Sequence, residues 1–173
     1  MIRLEPLTGR HERRGFESGV AALDLWLRQT ALQHQAKGIS RTFVAVPVDQ
    51  AAVADFAAAG HADIGPESIL GFYALASAFV LTQDLPTAVG KRLPRQVPVT
   101  RLARLAVRQA LQGQGLGRLL LADALNRARG AAQSVGSAGV FVDAKDDEAS
   151  RFYRRFGFQP CADQPLKLYL PIW

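Results

Sequence analysis

The stretch QGQGLGRLLL, Gln112 to Leu121, constrains this chain more than any other. Three glycines at alternate positions run directly into an apolar segment. Glycine tolerates backbone conformations that a side chain forbids, at an entropic cost. A glycine-rich turn that opens a helix gathers free N–H groups at the positive end of the helix dipole, which suits a phosphate. The competing reading is a tight strand-to-helix turn without a ligand. Three glycines would destabilise an empty turn through backbone entropy, so a ligand is expected. Spacing then selects among phosphates. A P-loop needs Lys and Ser or Thr after its last glycine, and neither follows Gly117. The dinucleotide pattern G-x-G-x-x-G needs glycine where Arg118 stands. The pattern that fits is Q-x-x-G-x-G, at Gln112, Gly115 and Gly117.

The elements around this turn alternate. Ile2, Leu4 and Leu7 predict an opening strand. Ser18 is placed to cap a helix running to about Gln35, with Leu23, Trp26, Leu27 and Ala31 as its apolar stripe. Gly38 ends it. RTFVAVPV (Arg41 to Val48) reads as a strand, and the alanine-rich residues 49–68 read as a loop or insertion with room for one weak helical turn. Ile69 to Val80 is a long apolar strand. Asp84 to Pro98 carries three prolines and the basic cluster KRLPR, and is mostly irregular. VTRLARLAV (Val99 to Val107) is a strand, and the helix opened by the glycine turn runs to about Gln133. Gly139 to Ala144 is a strand, Asp146 to Phe156 a helix closed by Gly157, and Leu166 to Ile172 a last strand. This order predicts one α/β (α+β) domain over residues 1–173, with a mixed, mostly antiparallel twisted sheet flanked by helices.

Composition narrows the function. The chain has 173 residues, 49% hydrophobic and 21% charged, so it suits a globular core and not a disordered one. Its single cysteine, Cys161, excludes an internal disulfide framework and a multi-cysteine metal site. His11, His34 and His61 have no mutual spacing that suggests a metal, so none is expected. The first residues lack the apolar core of a secretion signal, and no apolar run approaches the roughly 18 residues of a membrane span. A cytoplasmic protein is expected. The net charge of +6 favours an acidic partner such as nucleic acid, and no membrane partner is expected.

On the glycine motif, the chain resembles the GNAT superfamily of N-acetyltransferases, whose loop R/Q-x-x-G-x-G/A holds the pyrophosphate of acetyl-CoA. The resemblance implies that Gln112, Gly113, Gln114, Gly115, Leu116, Gly117 and Arg118 bind this cofactor. It also implies that the strand residues Leu105, Ala106 and Val107 offer backbone groups to its pantetheine arm. Asp146, Ala149, Tyr153, Gly157 and Phe158 match the superfamily's following motif. Asp146 departs from the usual Asn there, and a carboxylate cannot donate to a CoA oxygen as an amide can.

A narrower resemblance covers most of the chain outside residues 49–68. Phe16, Gly19, Leu23 and the pair Trp26-Leu27, then SRTFVAV, GFYAL, KRLPR-x-x-PV, RLAV and DDEA-x-x-FY-x-RFGF, are similar to the TacT- and AtaT-type toxins of bacterial toxin–antitoxin pairs. This implies acetylation of the α-amino group of aminoacyl-tRNA, which blocks translation. It implies a ribbon-helix-helix antitoxin and a homodimer as partners. A GNAT enzyme for a small amine or a protein N-terminus, and a non-catalytic acyl-CoA-binding regulator, are the alternatives.

The residues bear on the chemistry independently. Acetyl transfer to an amine needs a neutral nucleophile, a polarised thioester carbonyl and a proton for the leaving thiolate. Tyr153, about 100° round its helix from Phe152, stands off the Ala149–Phe152–Phe156 face and has a phenol protonated at neutral pH. It is the candidate general acid. TRLARLAV holds no carboxylate to act as general base. A lysine, with a pKa near 10.4, would need one, whereas an α-amine starts near 7.7–8.0 and drops further once esterified. Lys91, Arg92 and Arg95 are the candidate tRNA contacts, within a wider basic set that includes Lys37, Arg41, Arg101 and Arg104.

Overall fold

The computed structural model describes residues 1–172. Among these, the elements in chain order are β1 (Ile2–Pro6), α1 (Ala21–Gln29), α2 (Ala31–Ala36), β2 (Arg41–Pro47), α3 (Gln50–Ala58), β3 (Gly71–Leu81), α4 (Thr87–Gly90), β4 (Gln96–Val107), α5 (Leu116–Ala132), β5 (Gly139–Asp143), α6 (Asp147–Arg154), β6 (Gln159–Cys161) and β7 (Gln164–Pro171). The seven strands found among the described residues form one mixed sheet in the order β1-β2-β3-β4-β5-β7-β6. The β4–β5 pair is parallel, with Thr100–Leu102 opposite Val140–Val142. Parallel neighbours need a long crossover, and α5 supplies it. The β1–β2, β5–β7 and β6–β7 pairs are antiparallel.

The chain divides into two compact units. The first comprises Met1–Ala74 and Arg104–Asp123. Its core gathers Phe16, Leu27, Val44, Val46, Ile69 and Phe72, all fully buried. Phe16 meets Phe72 edge-on at 5.5 Å between ring centroids, a geometry the aromatic quadrupole favours. Tyr73 donates its hydroxyl to the Asp123 carboxylate on α5. The second unit comprises Leu75–Ala103 and Ala124–Trp173. Its core gathers Leu85, Val97, Val99, Phe141, Cys161 and Tyr169. Burial pushes the Cys161 thiol up to about 11, with Asp84 adding to the shift, so it stays an inert packed thiol.

Several local expectations are corrected. The single helix expected from Ser18 to Gln35 is two helices, broken at Thr30. Ser18 is not the cap, because α1 starts after Val20 and has no side-chain cap. Instead the buried Asp24 carboxylate accepts from the Ser18 N–H at 3.0 and 3.1 Å and from its hydroxyl at 2.6 Å. This contact pins the preceding loop to the helix. Gly38, at φ 72°, closes α2, as the Ile39 N–H reaches back to His34 O. Residues 49–68 hold a nine-residue helix where a loop was expected. Asp49 caps it by accepting from the Ala52 N–H at 2.8 Å. Alanine's high helix propensity carries α3 without an amphipathic stripe. The short strand β6 was also missed.

Candidate functional site

Within the first unit, β4 runs into the glycine turn through Arg108. Its N–H bonds Leu70 O at 2.8 Å, and its guanidinium donates to Ile69 O at 3.0 Å. A 3-10 turn follows, Gln109–Leu111, held by the Gln109 N–H on Glu17 O at 2.7 Å. The Gln112 amide donates to Ser18 O at 2.8 Å and to Val107 O at 3.0 Å. That nitrogen therefore braces the loop from within.

Gly113 and Gly115 take φ of 80° and 86°, in the left-handed region. A Cβ at either would meet no atom within 4 Å. Backbone conformation therefore requires glycine here, while the space above stays open. The first α5 hydrogen bond runs from the Leu119 N–H to Gly115 O. The N–H groups of Leu116, Gly117 and Arg118 thus precede the helical ladder, which is the arrangement that binds phosphate oxygens. Gln114 and Arg118 are exposed at the rim. On β4, Leu105 and Val107 are half-exposed about the buried Ala106, and all three lie past the register with β5. This geometry fits an acyl-CoA pyrophosphate. We expect Gly115→Ala to weaken acetyl-CoA binding tenfold or more, because the methyl enters that open space at a φ alanine avoids. Gly130→Ala, on α5 with open space around it, leaves binding unchanged and gains up to about 1 kcal/mol of helix stability. Titration calorimetry and thermal melting check the pair. Equal affinities for the two variants would refute the role of the turn.

Arg104 lies over the Trp26 ring at 4.5 Å, and Trp26 stacks on Phe72 at 6.2 Å. The sequence places Trp26 in the apolar stripe of its helix and does not reveal this contact, since cation–π pairing across 78 positions has no local signature.

In the second unit, α6 is capped by Asp146, which accepts from the Ala149 N–H at 2.8 Å. Asp146 thus serves the helix itself. Ser150 donates to Pro165 O at 3.2 Å. The buried face of α6 is Ser150 and Tyr153, which corrects the expected Ala149–Phe152–Phe156 face, as those three are only half-buried. Tyr153 packs its ring edge-on to Phe158 at 5.5 Å. Burial pushes its phenol well above the ordinary tyrosine value. It holds its proton at every physiological pH. Lys91, Arg92 and Arg95 are exposed in the segment leading into β4. Arg101 is ion-paired to Asp143 at 2.9 Å and so offers less free charge.

The three histidines are separately engaged. His11 bonds Glu5 at 2.8 Å, His34 abuts Trp26, and His61 abuts Phe56. Among the described residues no group of three or more His, Cys, Asp or Glu is arranged to hold a metal, and no helix is long and apolar enough to cross a membrane.

The model of the acetyltransferase (GNAT) domain family matches residues 40–160. The chain belongs to this family. It is an acetyltransferase, and acetyl-CoA is its donor. It is 39% identical over 155 residues to a tRNA-acetylating toxin of Mycobacterium tuberculosis (strain ATCC 25618 / H37Rv), covering 90% of this chain and 82% of the relative. Among solved structures, AtaT complexed with acetyl-methionyl-tRNAfMet is similar with a TM-score of 0.83 at 27% identity, covering 99% of this chain and 95% of that one. An AtaT variant bound to the C-terminus of the antitoxin AtaR is similar with a TM-score of 0.75 at 27% identity, covering 99% and 93%.

Proposed function

We propose that this acetyltransferase modifies the α-amino group of an amino acid esterified to tRNA, and so acts as a translation-blocking toxin. The observation that carries this reading is a β4 strand without a carboxylate, in a chain so similar to a tRNA-acetylating toxin. A strand with no base suits an acceptor that is already largely neutral near pH 8. Bound acetyl-CoA supplies the acetyl thioester. The glycine turn and the first N–H groups of α5 hold its pyrophosphate, and Leu105 to Val107 line its pantetheine arm. Tyr153 keeps a proton at Oη for the departing thiolate. Lys91, Arg92 and Arg95 contact tRNA phosphates. Residues 1–173 work as one acetyltransferase domain, in the cytoplasm, as a homodimer, with a ribbon-helix-helix antitoxin as the neutralising partner. The antitoxin-bound AtaT relative supports an antitoxin as partner; the ribbon-helix-helix class is our reading.

Mass spectrometry of a charged tRNA pool after incubation with the protein and acetyl-CoA tests the reading. The expected product is an N-acetylated aminoacyl ester. Acetylation of free amines, protein lysines or peptide N-termini faster than of charged tRNA would overturn it.

A further inference from the structure

The basic run near the start of the chain, His11-Glu12-Arg13-Arg14, plays no part in the site described so far. The fold turns it into a cleft. His11, Glu12, Arg13, Arg14, Arg28 and Gln29 line a space of about 490 Å³ in the first unit. Arg13 and Arg28 are half-buried there, and Arg14 is exposed. Arg13 donates from Nη1 to the Arg28 main-chain O at 3.1 Å, which anchors its guanidinium at the end of α1.

Of the nearby carboxylates, Glu5 is ion-paired, and Glu12, in the lining itself, is turned to a backbone N–H and leaves the three arginines in excess. Glu5 takes Arg3, Arg10 and His11. Both Glu12 oxygens accept from the Gly15 N–H, at 2.9 and 3.1 Å. None of Arg13, Arg14 and Arg28 has an ion-pair partner among the described residues. Arg28 lies in the last turn of α1, where the helix dipole favours a cation. Arg13, bonded to the Arg28 carbonyl at the same helix end, shares that effect, which still does not account for three charges. Half-buried guanidinium groups with no anion carry a desolvation cost that an external anion would offset. Their planar forks match phosphate oxygens in particular.

We propose that this cleft binds backbone phosphates of an RNA strand, as a docking site additional to Lys91, Arg92 and Arg95. The inference rests on the tRNA reading of the substrate. The cleft is tied to the cofactor loop within the same unit. The segment running from it, through Glu17 and Ser18, receives the Gln109 N–H and the Gln112 amide. An RNA backbone held in the cleft is thereby held against the unit that carries the acetyl donor.

The test uses the full chain and uncharged tRNA, so that binding is read without acetylation. In Arg14→Glu/Arg28→Gln, the Kd for tRNA rises tenfold or more. The slope of log K against log salt falls by about 2, as expected for two lost phosphate contacts. Acetyl-CoA affinity stays unchanged and reports the fold. If the double variant melts early, Arg14→Glu alone, at an exposed position, should raise Kd about threefold and reduce the slope by about 1. Unchanged affinity and slope overturn the proposal, as does wild-type protein that does not bind tRNA. Variants that keep tRNA affinity but lose an acidic protein partner overturn it in favour of a protein interface. Weakened tRNA binding in variants of an enzyme that does not acetylate charged tRNA leaves the cleft standing and removes the substrate reading alone.

Discussion

Tyr153→Phe should lower kcat about a hundred- to a thousandfold, leave the Kd for acetyl-CoA within twofold, and relieve any growth arrest caused by expression. The loss follows from the size of general acid catalysis, on the order of 10²–10⁴. The retained fold follows from the packing. Phenylalanine keeps the ring against Phe158 and Phe152, and only the oxygen is lost. The burial that holds the phenol protonated also makes it a weak acid. In the proposed role, a thiolate leaving beside it would meet the same desolvation, which would raise its pKa as well. The sign of the pH dependence follows. As the proposed general acid, Tyr153 would be active in its protonated form, and burial raises its pKa. Activity should therefore climb as the acceptor amine loses its proton near pH 8, and should show no falling limb up to about pH 10, where an ordinary tyrosine would ionise. A Phe variant with near-wild-type kcat would assign the phenol a packing role only. A falling limb near pH 9 that disappears in the variant would contradict the raised pKa.

The glycine turn that opens α5 was legible in the sequence because its determinants are local. Gln112, Gly115 and Gly117 lie within six positions, and the φ values of Gly113 and Gly115 are what a glycine-rich helix start demands. Asp146 was legible for the same reason, since a cap acts three residues along. What was not legible depended on distant partners. Ser18 looked like a cap, but Asp24 on the following helix claims its N–H and its hydroxyl. The buried face of α6 was hidden because Ser150 is polar and finds its acceptor, Pro165 O, only in the folded chain. Ala149, Phe152 and Phe156 made the more obvious apolar pattern. The arginine cleft was hidden too. Arg28 stands 15 positions from Arg13, and nothing local shows that α1 brings them together. The helix α3 is a different kind of miss. Its signals, Asp49 and the alanine run, are local, but the run has no helical apolar period to mark it.

Gly139→Ala should be the most damaging of the conservative substitutions, at about 3 kcal/mol, the upper part of the range for overpacking a filled core. A Cβ at Gly139 would lie 2.6 Å from two ring atoms of Tyr169 and against Leu170 O. Neither neighbour can give way cheaply. The Tyr169 ring is fully buried, in the cluster with Leu85, Val97, Val99, Phe141 and Cys161. Leu170 belongs to β7, where it pairs with Val140 in the β5–β7 ladder. Relief therefore means moving a core ring or parting two strands. At roughly 2–4 °C per kcal/mol for a chain of this size, Tm falls by about 6–12 °C. Gly136→Ala, three positions earlier with nothing within 4 Å of its Cβ, is the matched control and should stay within about 0.5 kcal/mol. The ring's share of the clash separates from the strand's in a double-mutant cycle with Tyr169→Leu. If the ring carries much of it, the coupling is relieving and exceeds about 1 kcal/mol. Calorimetric melting of the four proteins decides the point. Gly139→Ala and Gly136→Ala melting together would mean that β5 yields where the packing says it cannot.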